Sequence, residues 1–399
     1  MYEPSKIILE KYADILINFA LNSGKGVKKG EVVFLQVPEC AKPILFSLRK
    51  AVLKAGAYPI TEYLPDEYSR EFFELANENQ IKFFPAKYLK GKVDQMDHVV
   101  SIIAETNKYE FKGIDPKKIM DRGLAFQQYK EWRDEKENNG KMTWTLALYG
   151  TEAMAKEAKM TLKDYWGQII KGCYLDSKNP VLRWKQLYKK LELLRSKLNK
   201  LDIRKLRVVA KDTDLTIGVD KNRKWLGGSG RNIPSYELFI SPDCRLTEGF
   251  ISFSEPLYRY GNMVKSIKLW FKNGKVIKSS AAVGEAVLKE MIRTKDANKV
   301  GEFSLTDSRF SRIVKFMGET LFDENMGGKY GNTHIALGSA YKDSYRGDQS
   351  KVSKKEWQKM GYNDSSVHTD IISTTNRVVT ATLASGKEVI IYRNGKFTL

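Results

Sequence analysis

Histidine, as scarce as cysteine in this 399-residue chain, has three copies, His98, His334 and His368. His98 sits at the edge of an apolar run, in Asp97-His98-Val99, and reads as an ordinary structural residue. The other two stand in polar, acid-rich settings. His368 lies in Val367-His368-Thr369-Asp370, and on a strand a His-x-Asp pair projects from one face, two residues apart. One imidazole beside one carboxylate suits a borderline divalent ion. His334 is preceded by Asp323-Glu324-Asn325 and followed by a small-residue run ending in Tyr341. Upstream, Glu237, Glu248 and Glu302 occupy constrained contexts. Glu302 follows Gly301, where the absence of a side chain lets backbone approach closely. The zinc-protease helix signature HExxH is absent, as are the glycine-rich phosphate loops GxGxxG and GxxxxGK[ST]. From residue types and spacing alone, the C-terminal half therefore offers two histidines and several acids suited to a metal site.

The elements that must position these residues fall into two textures. The first half alternates helical patterns with strand-like runs. Ile7–Leu21 has Ile8, Tyr12, Ile15 and Phe19 at helical spacing, and Val32–Val37 is an apolar run after the Lys29-Gly30 turn. Pro43–Leu53 and 69–79 follow as helices, with Tyr58–Leu64, Val99–Ala104 and Trp144–Tyr149 as strands. Such alternation predicts an α/β domain with a mostly parallel sheet. Between Lys178 and Arg207 there are eleven Lys or Arg against two acids, and Val181, Trp184, Leu187, Leu191, Leu194 and Leu198 recur at helical spacing. That stretch reads as an amphipathic helix with a lysine-rich water-facing side, followed by a bridge at Leu201–Lys205. From Leu206 onward, short strand-like runs separated by turns, including the Asn273-Gly274 and Asn394-Gly395 steps, predict an α+β domain with a largely antiparallel sheet. Ala282–Thr294 reads as a helix. The division expected is 1–200 and 201–399, the second part carrying the metal site.

Composition narrows the class. A chain that is 42% hydrophobic and 29% charged is globular. No apolar run approaches the roughly 20 residues of a membrane span, and no secretory pattern opens the chain. Three scattered cysteines, Cys40, Cys173 and Cys244, make neither a disulfide framework nor a cysteine-rich zinc knot, so the expected compartment is the cytoplasm. The net charge of +20 admits a polyanion partner, but no arginine–glycine tract, RNA-binding strand signature or Cys/His finger accompanies it. Neither nucleic acid nor membrane is an expected partner.

An ordered series of segments resembles one known family. It comprises Leu9-Glu10-Lys11-Tyr12-Ala13-Asp14, Val27-Lys28-Lys29-Gly30-Glu31, Asn232-Ile233-Pro234-Ser235-Tyr236-Glu237-Leu238-Phe239 and Thr247-Glu248-Gly249. It continues with Val300-Gly301-Glu302, Asp323-Glu324-Asn325, His334-Ile335-Ala336-Leu337-Gly338, Tyr341 and His368-Thr369-Asp370. The whole series is similar to the thermophilic aminopeptidases, the metallopeptidase family of aminopeptidases T and S. The resemblance implies a metal-dependent aminopeptidase with two divalent ions per chain (zinc, cobalt or manganese). It places their ligands at Glu237, Glu302, Glu324, His334, His368 and Asp370, with Glu302 between the ions and Tyr341 beside them. It further implies a homodimer acting on short peptides. The alternatives are a metal-dependent hydrolase of another amide or ester, or a basic nucleic-acid-binding relative.

Overall fold

The structure, a computed structural model, describes residues 2–228, 230–259 and 262–399. Contacts divide the chain into two units: Met1–Tyr188 with Ser229–Ser235, and Lys189–Gly228 with Tyr236–Leu399.

The first unit is built on a parallel sheet. Its strands β1 (Val32–Pro38), β2 (Tyr58–Leu64), β3 (His98–Ile103) and β4 (Thr143–Leu148) stand in the order β2-β1-β3-β4, with the short Asn232–Ile233 added beside β4. Val33, Leu35 and Val37 on β1 and Val100 on β3 are fully buried, as helix-covered parallel strands require. Helix Lys6–Ile15 starts at Ser5, whose hydroxyl accepts from the Ile8 N–H at 3.4 Å. The expected helix to Leu21 does not stay regular: Leu16–Ala20 is a π-helical turn. Leu16 and Ile17 there are as enclosed as Tyr12 and Ile15, so burial is not confined to one helical stripe. Tyr12 is pinned by its phenol, which donates to the Leu148 carbonyl and accepts from the Leu148 N–H, both at 3.1 Å.

The basic stretch forms helix Pro180–Lys200, with Trp184, Leu187, Leu191, Leu194 and Leu198 buried and Lys185, Lys189, Lys190 and Lys197 exposed. The expected bridge at Leu201–Lys205 is instead mostly strand, because Ile203–Ala210 enters the sheet of the second unit.

That unit contains an antiparallel eight-stranded sheet whose centre pairs Ile203–Ala210 with Thr213–Gly218 and Val378–Leu383. Both Asn-Gly steps close hairpins there: Asn273 and Gly274 have φ of 50° and 75°, Asn394 and Gly395 of 52° and 74°, the double left-handed turn that matches strand twist. The helix expected from Ala282 begins at Glu285, because Val283 bridges to Lys265 and Gly284 adopts φ 74°. A second antiparallel sheet of four strands completes the unit: β5 (Glu237–Ile240), β6 (Val300–Thr306), β7 (Asn332–Gly338) and β8 (His368–Ser373), in the order β8-β7-β6-β5. Among the described residues, no helix is long and apolar enough to cross a membrane.

Candidate metal centre

The four-stranded sheet is enclosed, and β5, β6 and β7 are buried at every position. Directly opposed residues in an antiparallel sheet share a face. Thr306 opposes Glu237, Ser304 opposes both Phe239 and His334, and Ala336 opposes both Glu302 and Asp370. Glu237, Glu302, His334 and Asp370 thus project from one side of the sheet. The small Ala336 side chain stands in the row between Glu302 and Asp370, and His368 follows two residues before Asp370 on the same face.

The resulting distances are short. His334 Nε2 is 3.2 Å from Glu237 Oε2, 3.6 Å from Glu302 Oε1 and 3.9 Å from Asp370 Oδ1. His368 Nε2 is 3.5 Å from Glu302 Oε2 and 3.6 Å from Asp370 Oδ1. Glu324 arrives from outside the sheet, at the end of the short helix Thr320–Asp323. Three sets with converging donor atoms result: Glu237, Glu302 and His334; Glu302, His368 and Asp370; Glu324, His334 and Asp370. All six residues named from the sequence are brought together, and Glu302, His334 and Asp370 each belong to two of the sets.

The electrostatics match a cation site. Burial pushes the Glu237 and Asp370 carboxyls up, and burial together with the charges of Glu237 and Asp370 pushes Glu324 well up. Glu302 behaves oppositely: burial opposes its charge, but His334 and His368 outweigh it and hold this carboxyl at about 2. Burial likewise disfavours the His368 imidazolium, yet Asp370 and Glu302 hold it up at about 9. His334 is also raised, by Glu237 and Glu302 against its own burial. Without a multivalent cation, four converging carboxyls can be accommodated only by retaining protons on acids and imidazoles. Among the described residues, Nδ1 of the 1%-exposed His334 finds no hydrogen-bond partner, and Nε2 meets Glu237 at 3.2 Å without hydrogen-bond alignment. A buried nitrogen left unsatisfied among three carboxylates is a ligand geometry, and the mixed oxygen and imidazole donors suit a borderline divalent metal.

Surrounding groups hold the donors. His368 Nδ1 lies 2.8 Å from the Ser339 carbonyl, so an N–H there directs Nε2 toward Glu302 and Asp370. That carbonyl is close because residue 301 is glycine: a Cβ there would stand 2.3 Å from Ser339 O, at a point where the β6–β7 register shifts. Tyr341 packs edge-on against His368, ring centroids 5.0 Å apart, and lies tilted against Phe239 at 5.4 Å. Asn325 Oδ1 accepts from the Tyr236 N–H at 2.6 Å, joining the segment of Glu324 to the start of β5. Glu248 is elsewhere, its Oε1 accepting from the Asn273 N–H at 2.6 Å beside the hairpin. His98 lies in the first unit, bonded to Thr143 Oγ1 and Glu31 Oε2 at 2.8 Å each. Ser304 and Thr306 escaped the sequence reading. Their signal was polar residues at every second position of a strand that the structure buries completely.

Site and fold together define a two-unit protein with a buried candidate centre for divalent metal in its second unit. The chain belongs to the thermophilic metalloprotease (M29) family, whose profile matches residues 5–397. It is 29% identical to aminopeptidase PepS of Streptococcus thermophilus and 28% to aminopeptidase AmpS of Bacillus subtilis (strain 168), each match covering 98% of both chains. Aminopeptidase T of Thermus aquaticus is 26% identical over 98% of each chain. Among solved structures, wild-type AmpT from Thermus thermophilus shares the fold, with a TM-score of 0.84 at 23% identity, covering 99% of this chain and 100% of that one.

Proposed function

We propose that this metalloprotease is an aminopeptidase whose catalytic domain is the second unit, with Glu237, Glu302, Glu324, His334, His368 and Asp370 holding two divalent ions. The observation that supports this is the overlap of three donor sets through Glu302, His334 and Asp370, a cluster with more donors than one ion requires. When bound, the ions supply Lewis-acid polarisation of the scissile carbonyl and lower the pKa of water. Glu302, shared between two of the donor sets, offsets the charge of the ions, and a carboxylate beside the attacking water takes its proton and passes it to the leaving amine. The Tyr341 phenol, beside His368, donates to the oxyanion of the tetrahedral intermediate. The surrounding carboxylates receive the α-amino group of the substrate, which sets the cut one residue from the end. The names of the aminopeptidase relatives support the same reading.

Short unblocked peptides are the proposed substrates, and the homodimer the proposed assembly, with light scattering expected to give twice 45.7 kDa. Cytoplasmic residence is supported by three cysteines that are all unpaired. The deciding experiment compares a short peptide with its N-acetylated twin. Release of the N-terminal residue from the free form alone is expected, and equal rates on both would contradict exopeptidase action.

A further inference from the structure

β6 is covered at all seven positions, yet Glu302, Ser304 and Thr306 alternate with Phe303 and Leu305 along it. Polar groups in so enclosed a strand must find partners on their own face. Glu302 joins the donor cluster itself. Ser304, with no exposed surface, donates its hydroxyl to Glu237 Oε2 at 2.5 Å. Thr306, equally enclosed, donates to the backbone carbonyl of Glu324 at 3.2 Å. The pairing dictates these contacts, since Ser304 is flanked by Phe239 and His334 on the neighbouring strands and Thr306 by Glu237.

We propose that Ser304 is a positioning residue of the metal centre: its hydroxyl fixes the rotation of the Glu237 carboxylate, so that Glu237, Glu302 and His334 form one preorganised buried set for a divalent cation. A glutamate carboxylate turns freely about its last torsion, and the carboxylates around it repel it. A donor from the adjacent strand removes that freedom before any ion arrives. Hydrogen-bonded partners of ligating groups govern metal affinity in this way, through orientation and not through direct contact with the ion. The inference rests on the reading of Glu237 as a ligand.

The experiment measures zinc affinity of the full-length, metal-free protein by competition with a chromophoric chelator. Wild type, Ser304→Ala, Ser304→Thr and Glu237→Gln are compared, with thermal unfolding of each metal-free form recorded alongside. Ser304→Ala is expected to bind zinc about 10- to 100-fold more weakly, and zinc should raise its unfolding temperature less than in wild type. Ser304→Thr retains the hydroxyl and should recover most of that affinity. Should Ser304→Ala not fold, Ser304→Thr and Ser304→Val, equal in shape, give the same comparison. Wild-type affinity in the variants lacking the hydroxyl, with Glu237→Gln weakened, would overturn the role of Ser304 alone. Equal weakening with and without the hydroxyl would overturn it too. Unchanged zinc binding in Glu237→Gln would instead overturn the ligand assignment beneath it.

Discussion

Glu302 is the residue on which the proposed chemistry turns, because it lies close to both histidines and belongs to two of the three donor sets. Glu302→Gln keeps the shape but removes the charge that offsets the ions, for which a neutral amide is no substitute. Turnover should fall by about 10³-fold, near the scale of losing a charged contact at the reacting centre. Glu248→Gln, which alters a hairpin contact outside the cluster, should stay within a few-fold of wild type. Side-by-side kinetics with the opposite ranking would mean that the wrong glutamate has been chosen. Protons give a second test. In the metal-free protein, the His368 imidazolium is held up at about 9 against an ordinary 6.5. A histidine raised in the folded state stabilises it fully below about pH 6.5, and that contribution is lost as the pH climbs through about 9. Metal needs the lone pair of the imidazole, so binding at neutral pH must expel protons and strengthen as the pH rises toward about 9. Calorimetry in buffers of different ionisation enthalpy should show proton release, and a buffer-independent heat would contradict it.

At the scale of elements, the bulge at Gly301 sets where two strands bring their ligands. A methyl group there meets the Ser339 and Gly338 carbonyls at 2.3 and 2.5 Å, so backbone must move. Because Ser339 O orients His368, Gly301→Ala should weaken metal binding as well as lower stability, by about 1–3 kcal/mol for an overpacked site. A variant that unfolds earlier yet binds metal as tightly as wild type would show that the bulge serves packing only. The strands of the first half were legible because helix-covered parallel strands are apolar runs, as in Val32–Val37 and Val99–Ala104. The Asn-Gly turns were legible for the same local reason. The polar face of β6 was not. Alternation there usually signals water on one side, and here Ser304 and Thr306 face buried carboxyl and carbonyl groups instead. The early helix was legible in extent but not in its π-helical turn, since spacing shows a stripe and cannot show that Leu16 and Ile17 are enclosed as well.

Over the whole molecule, the six candidate ligands run from Glu237 to Asp370 and are scattered across four strands and a short helix. Beyond the His368-x-Asp370 pair, no local spacing joins them. Residue types alone suggested a metal site, and the complete set came only from resemblance to the family to which the chain belongs. Sheet order β8-β7-β6-β5 supplies what the sequence could not, since it aligns Asp370, Ala336 and Glu302 in one row and sets His334 beside Ser304. The lysine-rich outer face of helix Pro180–Lys200 is the clearest local source of the +20 charge, and nothing in the centre uses it. The central claim, that this cluster holds two catalytic divalent ions, is tested most directly by titrating exhaustively demetallated protein with zinc or cobalt while following hydrolysis of an unblocked dipeptide. The account predicts negligible turnover without metal and full turnover only as the second equivalent per chain binds. Undiminished turnover in the demetallated protein, or a plateau at one equivalent, would contradict it.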